Sequence, residues 1–405
     1  MGRRSRRDVP RRLAVIGDTQ HYRDDQGRLC ALEPVVLQLD LWAAHFEHVV
    51  ICAPLGEGPP PAGYAPYRST NLSIEPLRSG GGNTLGAKLG MARLLPAWAW
   101  TTRRVARSVD AVHLRCPCNI GLIAIFSTWG AVAHRYALYA GVWRGYDGEP
   151  FFFGLQRRLL ASRRFGGPVS VYAPPDPARP HLVPFFSPSF SEAYWDAAGP
   201  GAARKVEEIA AADPGRPLRT VTVGRLTPNK NQHTVIRALG EVVRRGVDAT
   251  LDVYGDGPCR DELTRLAADV GIAERVRFHG MVDHARVLEA FADADLHLLA
   301  TRQEGFGKVL LEGMVHATVP IFSESPLAPE ISGDGSRALV FATDDAAALA
   351  DHVCSLVADP PRWAAMAAAA RAYAGTQTLD RFADLVDAML EERWGVPAAG
   401  APRPQ

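Results

Sequence analysis

The chain has 405 residues, of which 47% are hydrophobic and 22% charged, and its formal net charge is +1. These totals are typical of a soluble globular protein with two α/β domains, and they exclude the strong basic excess expected of a nucleic-acid-binding protein. Only the N-terminus is locally basic, through Arg3, Arg4, Arg6, Arg7, Arg11 and Arg12. We interpret this cluster as a solvated tail, with a weak peripheral contact to anionic membrane lipids as the alternative.

No secretory signal is expected, because the arginines lead directly into a short strand instead of an apolar run. The most apolar stretch, residues 120–143, contains Arg135 and other polar residues, so it predicts a buried helix and a strand instead of a membrane span. Cys116 and Cys118 lack the spacing of a zinc site and are interpreted as structural. We therefore expect a cytoplasmic protein, with the inner face of the membrane as an alternative location.

Strands and helices alternate in the first half of the chain. The predicted strands are 12–17, 48–53, 110–114 and 136–139, and the predicted helices are 34–46 and 85–108. A loop rich in proline and glycine extends to about residue 67. This alternation predicts a parallel, doubly wound sheet.

The alternation restarts after a Gly- and Pro-rich segment, residues 197–219, which we interpret as the connection between domains. Further strands are predicted at 219–224, 250–254, 276–278, 296–299, 319–322 and 338–341, and each of them except 319–322 is followed by a predicted helical segment. The predicted domains are residues 1–198 and 199–376. Residues 377–405 should form a last helix that packs on the first domain, followed by a short Pro-rich tail. The predicted fold class is α/β, with two Rossmann-like doubly wound parallel-sheet domains that face each other across a cleft.

The segment Glu304-Gly-Phe-Gly-Lys-Val-Leu-Leu-Glu312 follows a strand and opens a helix. The backbone N–H groups near Gly307 and Lys308 are therefore expected to face an anion such as a diphosphate. Gly305 and Gly307 remove side chains that would keep such an anion away, and Phe306 stands between them. Glu304 and Glu312 are placed to contact opposite ends of one elongated ligand. The structural alternative is a helix with a favourable acidic start and one solvated glutamate.

A second segment, Gly224-Arg-Leu-Thr-Pro-Asn-Lys-Asn231, also lies at the end of a strand. Arg225 and Lys230 are suited to bind the phosphate oxygens of a leaving diphosphate without a metal. The alternative is a solvated turn with incidental bases. The position at the mouth of a parallel sheet favours the functional interpretation.

The segment from Val221 to about Asp345 resembles glycosyltransferase family four, the group one retaining enzymes of GT-B fold. The resemblance is carried by five ordered pieces: Gly224-Arg-Leu with Lys230, Tyr254-Gly-Asp-Gly-Pro258, Phe278-His-Gly280, the Glu304–Glu312 segment, and Pro329-Glu330. It implies that Arg225 and Lys230 bind the donor diphosphate, that Glu304 contacts the donor sugar and that Glu312 contacts the nucleotide ribose. It also implies that residues 1–198 serve the acceptor and residues 199–376 the nucleotide-sugar donor, with no cofactor and no metal.

The first half matches this family only in outline. Many members place a His after an N-domain strand, but the corresponding stretch, residues 136–143, contains none. His113 and Arg115 lie one strand earlier, and a core position is favoured for His113. Gly17 and Asp18, together with Gly27, are expected to line the donor or acceptor side.

Two other patterns are discounted. Asp293-Ala-Asp295 resembles a metal-binding acidic pair, but a helix cap and a solvated face explain it better. Gly255-Asp-Gly257 lacks the third glycine of a dinucleotide fingerprint. The expected activity is therefore transfer of a sugar from a nucleoside diphosphate to a hydroxyl acceptor in polysaccharide, glycolipid or natural-product biosynthesis. Two alternatives stay open: a nucleotide-sugar epimerase of the same fold, and a non-catalytic sugar-nucleotide-binding partner of another transferase.

Overall fold

A computed structural model describes residues 9–61, 63–80, 85–146, 148–213 and 215–398, without the side chains of 85–89. The arginines before residue 9 and the end of the Pro-rich tail lie outside the described residues. Contacts divide the chain into two units. The first unit comprises the described residues up to Phe186 and from Asp380 onward, and the second unit comprises Ser187–Leu379.

The first unit is built on a seven-stranded parallel sheet in the order β10-β9-β8-β7-β1-β4-β6. Its strands are β1 (Arg12–Ile16), β4 (His48–Pro54), β6 (Leu72–Leu77), β7 (Ala111–Cys116), β8 (His134–Tyr139), β9 (Val169–Val171) and β10 (Leu182–Pro184). A small antiparallel sheet combines β2 (Tyr22–Arg23), β3 (Leu29–Leu32) and β5 (Tyr64–Pro66). The small sheet and β6 are absent from the sequence-based prediction. Strand β6 lies at the sheet edge and contains Pro76, which weakens its apolar pattern.

Helices cover both faces of this sheet. They are α1 (Glu33–Ala43), α2 (Leu85–Ala106), α3 (Asn119–Ser127), α4 (Phe151–Ala161) and, from the C-terminal end of the chain, α14 (Leu379–Trp394). Alternate residues of β1 serve the two faces, because Leu13 joins a core with Trp42 of α1 whereas Ala14 joins a core with Trp98 of α2. Phe382 and other apolar residues of α14 complete the α1 side of the core.

The second unit contains a six-stranded parallel sheet in the order β13-β12-β11-β14-β15-β16. Its strands are β11 (Leu218–Val223), β12 (Ala249–Tyr254), β13 (Val276–Gly280), β14 (Leu296–Leu299), β15 (Val319–Ser323) and β16 (Leu339–Phe341). Its helices are α5 (Glu192–Ala197), α6 (Gly199–Ala210), α7 (Gln232–Arg244), α8 (Arg260–Asp269), α9 (His284–Asp293), α10 (Lys308–Val315), α11 (Ala328–Ser332), α12 (Ala346–Val357) and α13 (Pro360–Ala374). Two Rossmann-like parallel sheets therefore confirm the predicted fold class.

The predicted connection at 197–219 is wrong for its first part, which is helical. Helix α6 begins at Gly199, with Pro200 in its first turn. Proline is tolerated there because the first N–H groups of a helix have no partner within the helix. Helix α5 belongs to the second unit because Trp195 packs on α13, with the Arg371 guanidinium 4.1 Å from its ring. The structure accordingly divides after Phe186 instead of after residue 198.

Candidate donor site in the second unit

The candidate site lies where the strand order of the second sheet changes direction. From β11 the chain continues through β12 and β13 on one side, and then through β14, β15 and β16 on the other. The loops that follow β11 and β14 therefore diverge from adjacent strands at the carboxyl edge of the sheet. Such a switch point is where ligands bind in open α/β sheets. The loop after β11 carries Arg225 and Lys230, and the loop after β14 carries Glu304.

The two loops meet through an ion pair. Lys230 Nζ lies 2.6 Å from Glu304 Oε2, and both side chains are about three-quarters buried, with exposures of 25% and 22%. Arg225 is exposed, and within the described residues its guanidinium has no hydrogen bond or ion pair. The structure thus brings Lys230 and Glu304 into contact across 74 residues of sequence and leaves the Arg225 charge available to a ligand.

A second network, which the sequence did not reveal, holds these loops in place. Arg302 Nη1 donates to the carbonyl of Pro228 at 2.6 Å, and Arg302 Nη2 donates to Asp344 at 2.8 Å. The buried side chain of Asn231 donates to the same Asp344 oxygen at 2.7 Å. Asn231 starts α7 with a left-handed backbone, at φ of 53°. These bonds tie the start of α7 to both loops, so the position of Lys230 depends on them.

Helix α10 begins directly after the loop that carries Glu304. Gly307 precedes it with φ of 73°, a left-handed conformation that glycine adopts at no steric cost. Phe306 is buried, whereas Gly305 and Lys308 are partly exposed. The first backbone N–H groups of α10 have no partner within the helix, so they present positive partial charge at this edge of the sheet.

Glu312 lies inside α10 and is buried, so the solvated glutamate considered from the sequence is wrong. Its Oε1 accepts a hydrogen bond from Ser189 Oγ at 2.5 Å and lies 3.2 Å from His284 Nε2. Burial raises the pKa of Glu312, but the hydrogen bonds and charges of His284, Ser189 and Lys308 bring that pKa below its usual value. The group is therefore a carboxylate at neutral pH. Ser189 and His284 were missed because neither belongs to a recognisable motif.

In the first unit, Gly17 and Arg115 come together at the equivalent switch point, between β1 and β7. A Cβ on Gly17 would lie 3.0 Å from Arg115 Cβ. Arg115 Nη2 donates to Gln38 at 3.4 Å, and burial lowers the pKa of Arg115. Asp18 is exposed next to Gly17. Gly27, in contrast, lies in the turn between β2 and β3, where its N–H donates to the Asp24 carbonyl.

His113 lies in the core of the first unit, as favoured from the sequence. Its ring centroid is 4.5 Å from that of Trp42 and 4.6 Å from that of Tyr136. Burial brings the pKa of His113 well below its usual value, so the ring is neutral. Cys118 is structural as well, because its Sγ accepts a hydrogen bond from the Gly121 N–H at the start of α3.

The two discounted patterns have structural roles. The predicted solvated face is wrong for Asp295, which lies between α9 and β14 and is buried. Its carboxylate pairs with the Arg216 guanidinium at 2.7 Å. The glycines of Gly255-Asp-Gly257 allow two loops to pack closely. A Cβ on Gly255 would lie 2.2 Å from the Gly224 carbonyl oxygen. The glycines therefore serve the packing of the loop that carries Arg225.

Comparison with known proteins finds similarity in the second unit. Residues 206–373 match the model of the glycosyl transferases group 1. The chain is 36% identical over 166 residues to a GDP-mannose-dependent alpha-(1-6)-phosphatidylinositol monomannoside mannosyltransferase of Mycolicibacterium smegmatis, which covers 39% of this chain and 43% of that enzyme. It is 30% identical over 145 residues to an alpha-D-kanosaminyltransferase of Streptomyces kanamyceticus, covering 36% and 37%. The alignments thus span less than half of each of these relatives.

Two solved structures are similar over nearly the whole chain. Anabaena Alr3699/HepE in complex with UDP and glucose has a TM-score of 0.67 at 15% identity, covering 94% of this chain and 99% of that one. Sucrose-phosphate synthase from Thermosynechococcus elongatus has a TM-score of 0.66 at 16% identity, covering 94% and 98%. At these identities the likeness shows the fold, which is GT-B. Through residues 206–373, in its second unit, this chain is similar to the group 1 glycosyl transferases.

Proposed function

We propose that the protein is a retaining glycosyltransferase that moves a sugar from a nucleoside diphosphate to a hydroxyl acceptor in polysaccharide, glycolipid or natural-product biosynthesis. The observation that carries this proposal is the Lys230–Glu304 pair at the switch point of the second sheet, beside the N-terminus of α10. Cationic and anionic groups at such a position suit a ligand that has both a diphosphate and a sugar.

The chemistry follows from the charges. A bound diphosphate competes with Glu304 for Lys230 and adds Arg225 and the first N–H groups of α10 as partners. Glu304 is then released to accept hydrogen bonds from the donor sugar. As the glycosidic bond breaks, these groups stabilise the negative charge that develops on the leaving diphosphate. A leaving phosphate oxygen takes the acceptor proton on the same face, so the proposed reaction needs neither a metal nor a cofactor.

The proposed donor is a nucleoside diphosphate sugar of the kind that similar proteins bind or use. The names of several relatives include GDP-mannose, and the crystal structures of the similar Anabaena protein include complexes with UDP and glucose and with UDP-glucose. Glu312, kept ionised beside Ser189 and His284, is proposed to hold the ribose hydroxyls that all such nucleotides share.

We propose a cytoplasmic location with peripheral contact to the membrane. No helix among the described residues has the length and apolar character of a membrane span.

The first test is thermal unfolding with UDP, GDP, ADP, dTDP and NAD in the absence of added metal. Ligand that binds only the folded state raises the unfolding temperature, so one nucleoside diphosphate should shift it and NAD should not. That result supports the donor site and identifies the base. The absence of a shift with every diphosphate would contradict the proposed site.

The second test is turnover of the matching nucleotide sugar by Glu304→Ala. We expect turnover to be lost while the unfolding temperature and the diphosphate-induced shift are retained. Glu274→Ala, at an exposed glutamate of the same unit, is the matched control. An isomerised nucleotide sugar formed without any acceptor would favour an epimerase. Nucleotide binding without turnover by the wild-type protein, over a broad acceptor panel, would favour a non-catalytic partner.

A further inference from the structure

Two side chains from outside α10 hold one oxygen of the buried Glu312 carboxylate. Ser189 Oγ donates to Glu312 Oε1 at 2.5 Å, and His284 Nε2 lies 3.2 Å from the same oxygen. A carboxylate offers about two lone-pair sites on each oxygen, so a hydroxyl and a protonated Nε2 together occupy Oε1. Among the described residues no group donates to Oε2. The carboxylate therefore presents one defined oxygen to a ligand.

The backbone around Ser189 is fixed by hydrogen bonds, although the residue lies before α5 in a segment without regular secondary structure. The Leu379 N–H donates to the carbonyl of Phe190 at 2.9 Å. Ser191 caps α5, because its hydroxyl accepts from the Tyr194 N–H at 3.1 Å. The Ser189 hydroxyl is therefore placed against Glu312 by the second unit itself.

His284 approaches Glu312 from a different element. It is the first residue of α9, and its backbone is fixed because Asp283 caps that helix by accepting from the Arg286 N–H at 2.8 Å. The His284 side chain is 31% exposed, whereas that of Glu312 is 7% exposed. Three separate segments thus converge on one carboxylate. A glutamate held in this way is oriented before a ligand arrives, so less conformational entropy is lost on binding.

We propose that Ser189 and His284 are positioning residues that make the site specific for ribonucleotides: they hold Oε1, so that Oε2 alone accepts the 2′- and 3′-hydroxyls of a ribose. The two lone-pair sites of Oε2 match two adjacent hydroxyl donors. This inference rests on the proposed function, in which Glu312 faces the ribose of a nucleoside diphosphate.

The inference narrows the class of donor. A site built to bind a hydroxyl rejects an analogue that lacks it, because a buried polar group is then left unpaired. The donor is accordingly a sugar linked to a ribonucleoside diphosphate, and donors built on a 2′-deoxyribonucleotide bind weakly.

The test is calorimetric titration of the full chain with UDP, GDP and ADP, each paired with its 2′-deoxy form. We expect the wild type to bind the ribonucleotide of the matching base about tenfold or more tightly than its deoxy form. Ser189→Ala and His284→Phe should each reduce this preference to about threefold or less. They should do so by weakening the ribonucleotide more than the deoxynucleotide, because only the ribonucleotide has both hydroxyls.

Conservative variants and matched controls separate positioning from a general effect on the fold. Ser189→Thr keeps a hydroxyl and His284→Gln keeps an N–H donor, so both should retain most of the preference. Ser355→Ala and His352→Phe replace side chains of α12 that bond to backbone carbonyls, and they should retain the wild-type preference. In steady-state turnover, Ser189→Ala and His284→Phe should raise KM for the donor with little change in kcat, because the ribose contacts are the same in the ground state and the transition state.

Each variant is first compared with the wild type by thermal unfolding. An unchanged preference in folded Ser189→Ala and His284→Phe would overturn the inference and leave the proposed donor site intact, as would equal binding of both nucleotide forms by the wild type. Parallel weakening of both forms would also overturn it, since the two residues would then have a structural role only. Absence of binding by the wild type to every one of these nucleotides would contradict the proposed function itself and the inference with it.

Discussion

At the scale of single residues, the candidate site depends on charges whose partners come from other segments. The Lys230–Glu304 pair illustrates this, because each side chain pairs with an opposite charge from the other loop. The pair is partly solvated, so its contribution to the free energy of unfolding is small. Its contribution to binding a diphosphate is expected to be much larger, because the ligand charge develops next to it.

We therefore predict that Lys230→Ala lowers kcat/KM for the sugar donor by about 100-fold or more, because a cation is removed from the leaving group. The unfolding temperature should change little. Steady-state kinetics with the donor identified by the nucleotide panel checks this prediction. Arg237→Ala removes an exposed arginine from α7 of the same unit and serves as the control. Unchanged kcat/KM in a folded Lys230→Ala protein would exclude Lys230 from the site.

A second prediction at this scale concerns acid stability. His316 is buried in the second unit with Nε2 3.0 Å from the Tyr194 hydroxyl, and burial lowers the pKa of His316 to about 4. In the unfolded chain the pKa is about 6.5. Between these values the unfolded state binds the proton and the folded state does not, so stability is lost as the pH falls from 6.5 towards 4.

We predict that His316→Gln, which cannot take up a proton, reduces this loss by about 2 kcal/mol at pH 5 relative to pH 7. The measurement is denaturant unfolding of the wild type and the variant at both pH values. His297, with a pKa lowered to about 3, remains in both proteins, so some acid sensitivity should persist. Equal losses in the two proteins would show that His316 does not carry this effect.

At the scale of secondary-structure elements, the site depends on how closely adjacent loops approach each other. The loop after β12 packs on the loop after β11 through glycines, and Leu226 exchanges backbone hydrogen bonds with Asp256 and Cys259 there. A side chain at Gly255 or Gly257 would collide with backbone atoms of the loop after β11, which cannot move aside as a flexible side chain can. The glycine positions are thus determined by packing beneath the Arg225 loop.

We predict that Gly255→Ala destabilises the protein by about 2 kcal/mol or more, since the Cβ would lie 2.2 Å from the Gly224 carbonyl oxygen and the backbone has φ of +123°. Displacement of the adjacent loop should also weaken diphosphate binding. Gly201→Ala, in α6 with nothing within 4 Å, is the control and should be neutral or stabilising by up to about 1 kcal/mol. Denaturant unfolding and nucleotide titration measure both effects. Equal stability of the two variants would contradict the packing argument.

At the scale of the whole molecule, the chain leaves the second unit and returns to the first through α14. Phe382, Val386, Leu390 and Trp394 of this helix are buried in the same core as Trp42. Burial of each large apolar side chain stabilises by about 1.5–3 kcal/mol, so the four together contribute about 6–12 kcal/mol. This is comparable to the total stability of a typical domain.

We therefore predict that a chain ending after Leu379 has an unfolded or aggregating first unit, while the second unit keeps its fold. Limited proteolysis should cleave the first unit, and the diphosphate-induced stabilisation of the second unit should persist. A chain ending after residue 398 retains α14 and should behave as the full-length protein. A protease-resistant first unit in the shorter chain would show that α14 is dispensable there.

Local sequence patterns accounted for most of the fold. The strand at 296–299 was predicted with the bounds that the structure has, because a fully buried parallel strand is a continuous apolar run. Residues 199–201 were interpreted as a connection, although they start α6, because glycine and proline tolerate both situations. The edge strand β6 and the short strands β9 and β10 were missed, since few or partly polar residues give little periodicity.

The sequence by itself determined the two sheets, the motifs that resemble the glycosyltransferase family and the residues proposed to bind the diphosphate. Each of these depends on residues that are close together in the chain. Only the tertiary structure decided what surrounds them. It placed Lys230 against Glu304 across 74 residues, and Ser189 against Glu312 across 123. The reason is physical: periodicity reports which face of an element is buried, whereas contacts between distant loops follow from strand order and packing, which no local pattern encodes.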